Sequence, residues 1–193
     1  MTYILLGAAG FLLMHLLDFA SIKKAPFIKP ALSFFGTMLI AVSATMVAIA
    51  CRKFGLPEWA SIAGWAIMGV SAWLTVYSLY FALPAVRTYI KPGSSGQLVT
   101  RGVYALVRHP WLLFFALSMT GLALGSRSIL AVEAGIAWTI LSLILVYVQD
   151  RKIFPHMFSG YAIYQKTTPM IVPNRNSVSA FFEGFRRNKL PEA

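Results

Sequence analysis

Residues Leu98–Gly125 read LVTRGVYALVRHPWLLFFALSMTGLALG, and the change of character at Pro110 decides how the chain is read. Before it the run is polar to amphipathic and ends in Arg108-His109-Pro110, two side chains able to bind anions followed by a proline. After it comes an uncharged apolar segment in which Gly121 and Gly125 have the spacing that lets helices pack closely. Proline suits the first turn of a helix, where its missing N–H has no partner in any case. A helix is therefore predicted from Pro110, with a basic pair at its mouth. Such a mouth offers free N–H groups and a partial positive charge. The planar fork of Arg108 completes a cradle for a carboxylate or phosphate. The plainer reading makes Arg108 a charge that anchors a membrane helix and His109 a solvated interface residue.

Outward from this stretch the chain is mostly apolar. Of 193 residues 58% are hydrophobic and 12% charged, and the mean hydropathy is +0.70. A soluble domain of this length has too little interior for that much apolar surface, so lipid must cover part of it. Thr2–Ala20, Ala31–Cys51, Pro57–Leu83, Pro110–Gly125 and Ser128–Val148 predict an all-α integral membrane protein of about five transmembrane helices. The last two form a hairpin about Arg127. The third is long enough to tilt or to end in the interface, where Trp59, Trp65, Trp73, Tyr77 and Tyr80 suit the headgroup boundary or helix contacts. The first is read as a retained helix, since no basic region precedes it. Residues 1–173 are expected to be one membrane-embedded domain. Residues 174–193 are expected to be a basic tail whose Phe181, Phe182 and Phe185 suit a membrane surface.

The net charge of +11 lies in clusters between apolar runs, which fits membrane topology and argues against a nucleic-acid partner. Fourteen Lys and Arg flank one side of the five spans and three the other. The N-terminus is thus expected outside, with the C-terminus and the Arg108 stretch in the cytoplasm. The single cysteine, Cys51, excludes an internal disulfide and a cysteine metal cluster.

Several other residues draw notice. Asp150, in Gln149-Asp150-Arg151-Lys152, is one of six acids and ends a helix whose dipole it opposes. It needs a partner, and Arg151, Arg108 or a ligand's ammonium group would serve. Tyr104, four residues before Arg108, shares its face if the run is helical. Tyr161 and Tyr164 share a helix face after Gly160, which relieves crowding or caps the preceding turn. Thr168 to Pro173 should end helical structure and run extended. His15 and Asp18 sit within the first span, where ionisable groups are costly. They either satisfy one another, or His15 serves as a proton acceptor or metal ligand. Glu133 has Arg127 as its nearest candidate partner.

Taken in order, Leu98-Val99-Thr100, Gly102, Tyr104, Arg108-His109-Pro110, Phe158-Ser159-Gly160-Tyr161, Tyr164 and Thr168-Pro169 to Val172-Pro173 resemble the isoprenylcysteine carboxyl methyltransferase and phospholipid methyltransferase superfamily. The resemblance covers roughly Gln97 to Pro173 and implies S-adenosylmethionine-dependent methyl transfer to a thiol, carboxylate or amine of a lipophilic membrane substrate. It implies a cofactor site of Tyr104, Arg108, His109, Pro110, Gln149, Asp150, Tyr161 and Tyr164, on the cytoplasmic side between the loop before the fourth helix and the C-terminal segment. His109, Arg108 and His15 are the candidates for catalysis, and no metal is expected. The chain departs from the pattern at Leu112, where a tyrosine is usual, at Gln149, where a glutamate is usual, and at Ser159, which splits a Phe-Gly pair. Met14-His15-Leu16 and the apolar Trp111-Leu112-Leu113 after Pro110 also resemble the NnrU-type and zeta-carotene isomerase branch, which implies haem b on His15 or His109. The departures suit a third reading, a non-catalytic membrane subunit with a degenerate pocket. The bilayer is the partner in every case, and the oligomeric state is open.

Overall fold

A computed structural model describes residues 1–22, 28–50, 52–82 and 98–187. The basic loop with Lys23, Lys24 and Pro26, Cys51, the turn at Pro92–Gly96, Gln97 and the last six residues lie outside the described residues, as does the side chain of Asp18. The described chain is helical: α1 Thr2–Ile22, α2 Ile28–Ile49, α3 Glu58–Val76, α4 Val103–Leu106, α5 Pro110–Ser126, α6 Ile129–Val148, α7 Phe154–Met157, α8 Tyr161–Thr167 and α9 Arg175–Arg187. Both α3 and α6 continue into a π-helical turn, Tyr77–Ala82 and Gln149–Ile153.

Among the described residues three helices are long and apolar enough to cross a membrane: Pro30–Ile49, Glu58–Ala82 and Ile129–Met157. Thr2–Leu17 and Pro110–Ser126 are shorter apolar helices. Their outer faces carry the expected lipid-facing side chains. On α6, Val132, Ile136, Ile140, Ile144 and Tyr147 are all exposed, a stripe that water would not tolerate and lipid would. Trp59, Trp65, Trp73, Tyr77 and Tyr80 of the third span are likewise exposed.

Helices pack in two close pairs, α1 with α2 and α3 with α5, and α6 ties them together. The expected α5–α6 hairpin is present, but the larger contact of α5 is with α3. Glycine explains the preference. A Cβ on Gly121 would stand 2.4 Å from the Met68 amide nitrogen, and one on Gly64 would stand 2.4 Å from that of Gly125. Bare backbones thus touch along this seam, the only way two helices gain full van der Waals contact where lipid supplies no hydrophobic drive. Ser61 Oγ donates to the Gly125 carbonyl at 2.7 Å across it. The buried core is Phe11, Phe115, Met119 and Trp138, with Trp138 Nε1 donating to the Ile4 carbonyl at 2.9 Å.

Arg127 closes α5 in the left-handed conformation (φ 53°), and Ser128 caps α6, its Oγ accepting from the Ala131 amide at 3.3 Å. The expected Arg127–Glu133 pair is not formed: Glu133 is exposed and Arg127 Nε is buried without a partner.

Candidate functional site

The Arg108 end of α5 is where the polar residues of this apolar chain converge. Val107 is extended (φ −150°, ψ 155°), and so is Thr168 (φ −123°, ψ 129°). The two short runs pair: the Arg108 amide donates to the Pro169 carbonyl at 2.9 Å and the His109 amide to the Met170 carbonyl at 3.1 Å. Thr168-Pro169-Met170, predicted to run extended, does so as the backbone partner of Arg108-His109.

Side chains lock this junction. Arg108 grips Asp150 with both arms of a fork, Nε to Oδ1 at 2.8 Å and Nη2 to Oδ2 at 2.9 Å. Its Nη1 donates to the Gln165 carbonyl at 3.0 Å and to the Thr168 carbonyl. Tyr161 Oη donates to Asp150 Oδ1 at 2.6 Å, and Gln165 Nε2 to Oδ2 at 3.1 Å. The Asp150 side chain is fully buried and that of Arg108 nearly so. A buried pair recovers its desolvation cost only with good geometry and further hydrogen bonds, and both are present. Of the three partners considered for Asp150, the structure selects Arg108. Arg151 instead lies over the Tyr147 ring, 5.8 Å from its centroid.

The two π-helical turns each lend a carbonyl that a regular helix would keep. Tyr104 Oη donates to the Ser78 carbonyl at 2.8 Å, and Gln165 Nε2 to the Asp150 carbonyl at 2.8 Å. Tyr164 Oη donates to the Tyr104 carbonyl at 2.5 Å. Tyr161 and Tyr164, on one face of α8 as predicted, stand edge to face with centroids 5.8 Å apart. Burial pushes both phenols well above the usual tyrosine range, and the Asp150 carboxylate accepting from Tyr161 adds to the effect there. Gly160 adopts φ 82° at the start of α8, with open space where a Cβ would be. Its role is conformation, not relief of crowding.

His109 precedes α5 and stacks on Phe154, ring centroids 5.6 Å apart. It is 2% exposed. Its Nε2 lies 3.4 Å from Asp150 Oδ1, misaligned for a hydrogen bond, and is buried without a hydrogen-bond partner. Burial lowers its pKa below the usual histidine value, against the opposing pull of Asp150, so the ring is neutral near pH 7. Pro110 is the first residue of α5.

The structure therefore brings together Tyr104, Arg108, His109, Pro110, Asp150, Tyr161 and Tyr164. Gln149 adjoins them in the π-helical turn, half-buried. Gln165 is the member that sequence reasoning missed; its signal was a polar side chain one helical turn after Tyr161. Each nitrogen of the Arg108 fork expected to meet a ligand already donates within the protein. Of the expected cofactor-binding set, His109 Nε2 is the buried polar atom without a hydrogen-bond partner, 3.4 Å from Asp150 Oδ1 and beside the start of a 17-residue helix whose Leu112 amide donates to the His109 carbonyl.

His15 is elsewhere, within α1. Its Nδ1 lies 2.8 Å from the Phe11 carbonyl, which only accepts, so Nδ1 carries the proton and Nε2 keeps its lone pair, buried and without a partner. Phe11 packs on Phe115 at 5.1 Å. Among the described residues no group of three or more His, Cys, Asp or Glu side chains is placed to hold a metal. An apolar groove of about 460 Å³ lies between α5 and α6, lined by Met119, Ala123, Val132, Gly135 and Thr139. It sits toward the Arg127 end, away from this cluster.

The family model for phospholipid methyltransferase matches residues 59–166, from the start of α3 through all but the last residue of α8. No curated protein and no solved structure matches the chain.

Proposed function

The chain belongs to the phospholipid methyltransferase family, within the superfamily of isoprenylcysteine carboxyl and phospholipid methyltransferases, and from that premise we propose that it transfers a methyl group from S-adenosylmethionine to a lipid-like nucleophile in the membrane. The observation that carries the reading is the buried polar cluster at the start of α5. It lies almost entirely inside the matched residues, in a chain otherwise short of polar groups. We place its residues in two roles. Arg108, Asp150, Tyr161, Tyr164, Tyr104 and Gln165 clamp the extended run before α5 to the C-terminal segment and fix the helix start. His109 Nε2 and the first amides of α5 are the groups that would hold the cofactor's carboxylate, and Gln149 would reach its polar groups from the π-helical turn.

The cofactor supplies an electrophilic methyl on a sulfonium. The protein's part is alignment and exclusion of water. The clamp keeps the α5 start and its neighbouring ring, Phe154, in one geometry, so no reorganisation is needed when a ligand arrives. If His109 instead serves as base for an incoming thiol or amine, its Nε2 keeps the lone pair and the first amides of α5 alone hold the carboxylate.

Residues 1–173 would then form one membrane domain of about five spans, counting the shorter α1 and α5. The Lys and Arg distribution supports a cytoplasmic position for the cluster. The test is label transfer. Protein in detergent with methyl-labelled S-adenosylmethionine and a total membrane-lipid extract should move label into the organic phase, and His109→Ala should reduce it. A folded protein that labels nothing in such an extract would count against the reading.

The lone pair of His15 Nε2 favours one second reading, haem b on His15, because a ring held through Nδ1 by a carbonyl is set up to ligate through Nε2. A visible haem band in purified protein that vanishes in His15→Ala would establish it.

A further inference from the structure

Helix α9 lies beyond the family match and outside the polar cluster. It is nevertheless a defined element. The Ser177 amide donates to Asn174 Oδ1 at 2.8 Å and the Asn174 amide to Ser177 Oγ at 3.0 Å, a reciprocal cap in which Ser177 is buried. Val178, Phe181, Phe182 and Phe185 follow the i, i+3, i+4, i+7 spacing of one helical stripe. Only one margin of that stripe is used inward. Phe181 is half-buried where α9 packs on α4, whereas Val178 is 36% exposed and Phe182 61%. On the other side Ser179 Oγ donates to Glu183 Oε1 at 3.4 Å, and both residues are exposed.

Charge names what covers the apolar margin. The helix carries Arg175, Arg186 and Arg187 against one acid, Glu183. At 13 residues it is too short to span a bilayer. It is tied close to the membrane end of the molecule. Five residues lead from Met170, the partner of the His109 amide, to Arg175, a reach of at most about 18 Å. A short basic helix with exposed phenylalanine beside that boundary fits an anionic phospholipid surface.

We propose that α9 lies flat on the anionic lipid surface, with Val178 and Phe182 in the acyl boundary and Arg175 at the headgroup phosphates. Seated there, it braces α4, whose Tyr104 carbonyl receives the Tyr164 hydroxyl, so the bilayer itself supports one wall of the polar cluster.

The experiment uses the full chain with Cys51→Ser and one new cysteine in each of four variants: Val178→Cys, Phe182→Cys, Ser179→Cys and Glu183→Cys. Each is labelled with an environment-sensitive fluorophore and placed in nanodiscs of phosphatidylcholine, with or without phosphatidylglycerol. The labels at 178 and 182 should emit blue-shifted and be quenched from the lipid phase, while those at 179 and 183 stay open to iodide. The contrast between the two faces should grow about two-fold when phosphatidylglycerol is present and shrink in high salt. Four labels that behave alike would overturn the proposal. So would a contrast indifferent to lipid charge, or protection from both quenchers that rises with protein concentration and so reports a second copy on this face. None of these readings depends on cofactor binding.

Discussion

The two ends of α5 are held by opposite means. At the Arg127 end, the backbone of Gly121 lies against that of Met68 and the backbone of Gly125 against that of Gly64. At the Arg108 end an arginine, a carboxylate and three phenols are buried together, each hydrogen-bonded to another of them or to a backbone carbonyl beside them. Packing of small residues needs only shape and holds in any apolar surrounding. A buried polar cluster tolerates no missing member, since each loss strands another group. A helix that needed only to span the membrane would be served by the first device at both ends. The second marks where precise geometry is required.

The comparison is sharpened by removing parts from each end. Asp150→Ala should have the largest effect. It leaves Arg108 buried and uncompensated, at a cost of about 3–5 kcal/mol, read as a large fall in unfolding temperature in detergent. Tyr161→Phe removes one charge-assisted hydrogen bond and should cost about 1.5–3 kcal/mol by the same measurement. At the other end Gly121→Ala places a methyl against the Met68 backbone, which cannot yield as a side chain would, and should cost about 1–3 kcal/mol. Gly121→Ala should leave ligand binding at the Arg108 end intact, whereas Tyr161→Phe should weaken it. If both variants bound alike, the division of labour between the ends would be broken.

The smallest effect is one of pH. Burial depresses the pKa of His109, so its contribution to stability is full above the usual histidine value of about 6.5 and declines as pH falls below it. The difference in unfolding temperature between wild type and His109→Asn should narrow between pH 8 and pH 5. A constant difference would mean that the histidine titrates alike in the folded and unfolded chain.

The helices were legible because apolar runs bounded by charge and proline leave little else to form in lipid. So was the Pro110 helix start, from local chemistry alone. Tyr161 and Tyr164 could be placed on one face because spacing fixes that within a single helix. What spacing does not fix is which distant groups meet. Arg108 and Asp150 are 42 residues apart, and an arginine at a helix mouth reads equally as a ligand-binding fork or as half of a clamp. The structure makes it the clamp. The π-helical turns were likewise hidden, and within them the Ser78 and Asp150 carbonyls accept from Tyr104 and Gln165. Arg127 and Glu133 show the converse error, a pair suggested by nearness in sequence but not formed, with Arg127 Nε buried and Glu133 exposed.

The most direct test of the account is isothermal titration of the purified protein with S-adenosylhomocysteine, alongside His109→Ala and Gly121→Ala. The account predicts saturable binding in the wild type, loss of most affinity in His109→Ala and wild-type affinity in Gly121→Ala. Absence of binding in a folded wild-type protein would contradict it, and would leave the polar cluster as the joint of a membrane subunit that does no chemistry.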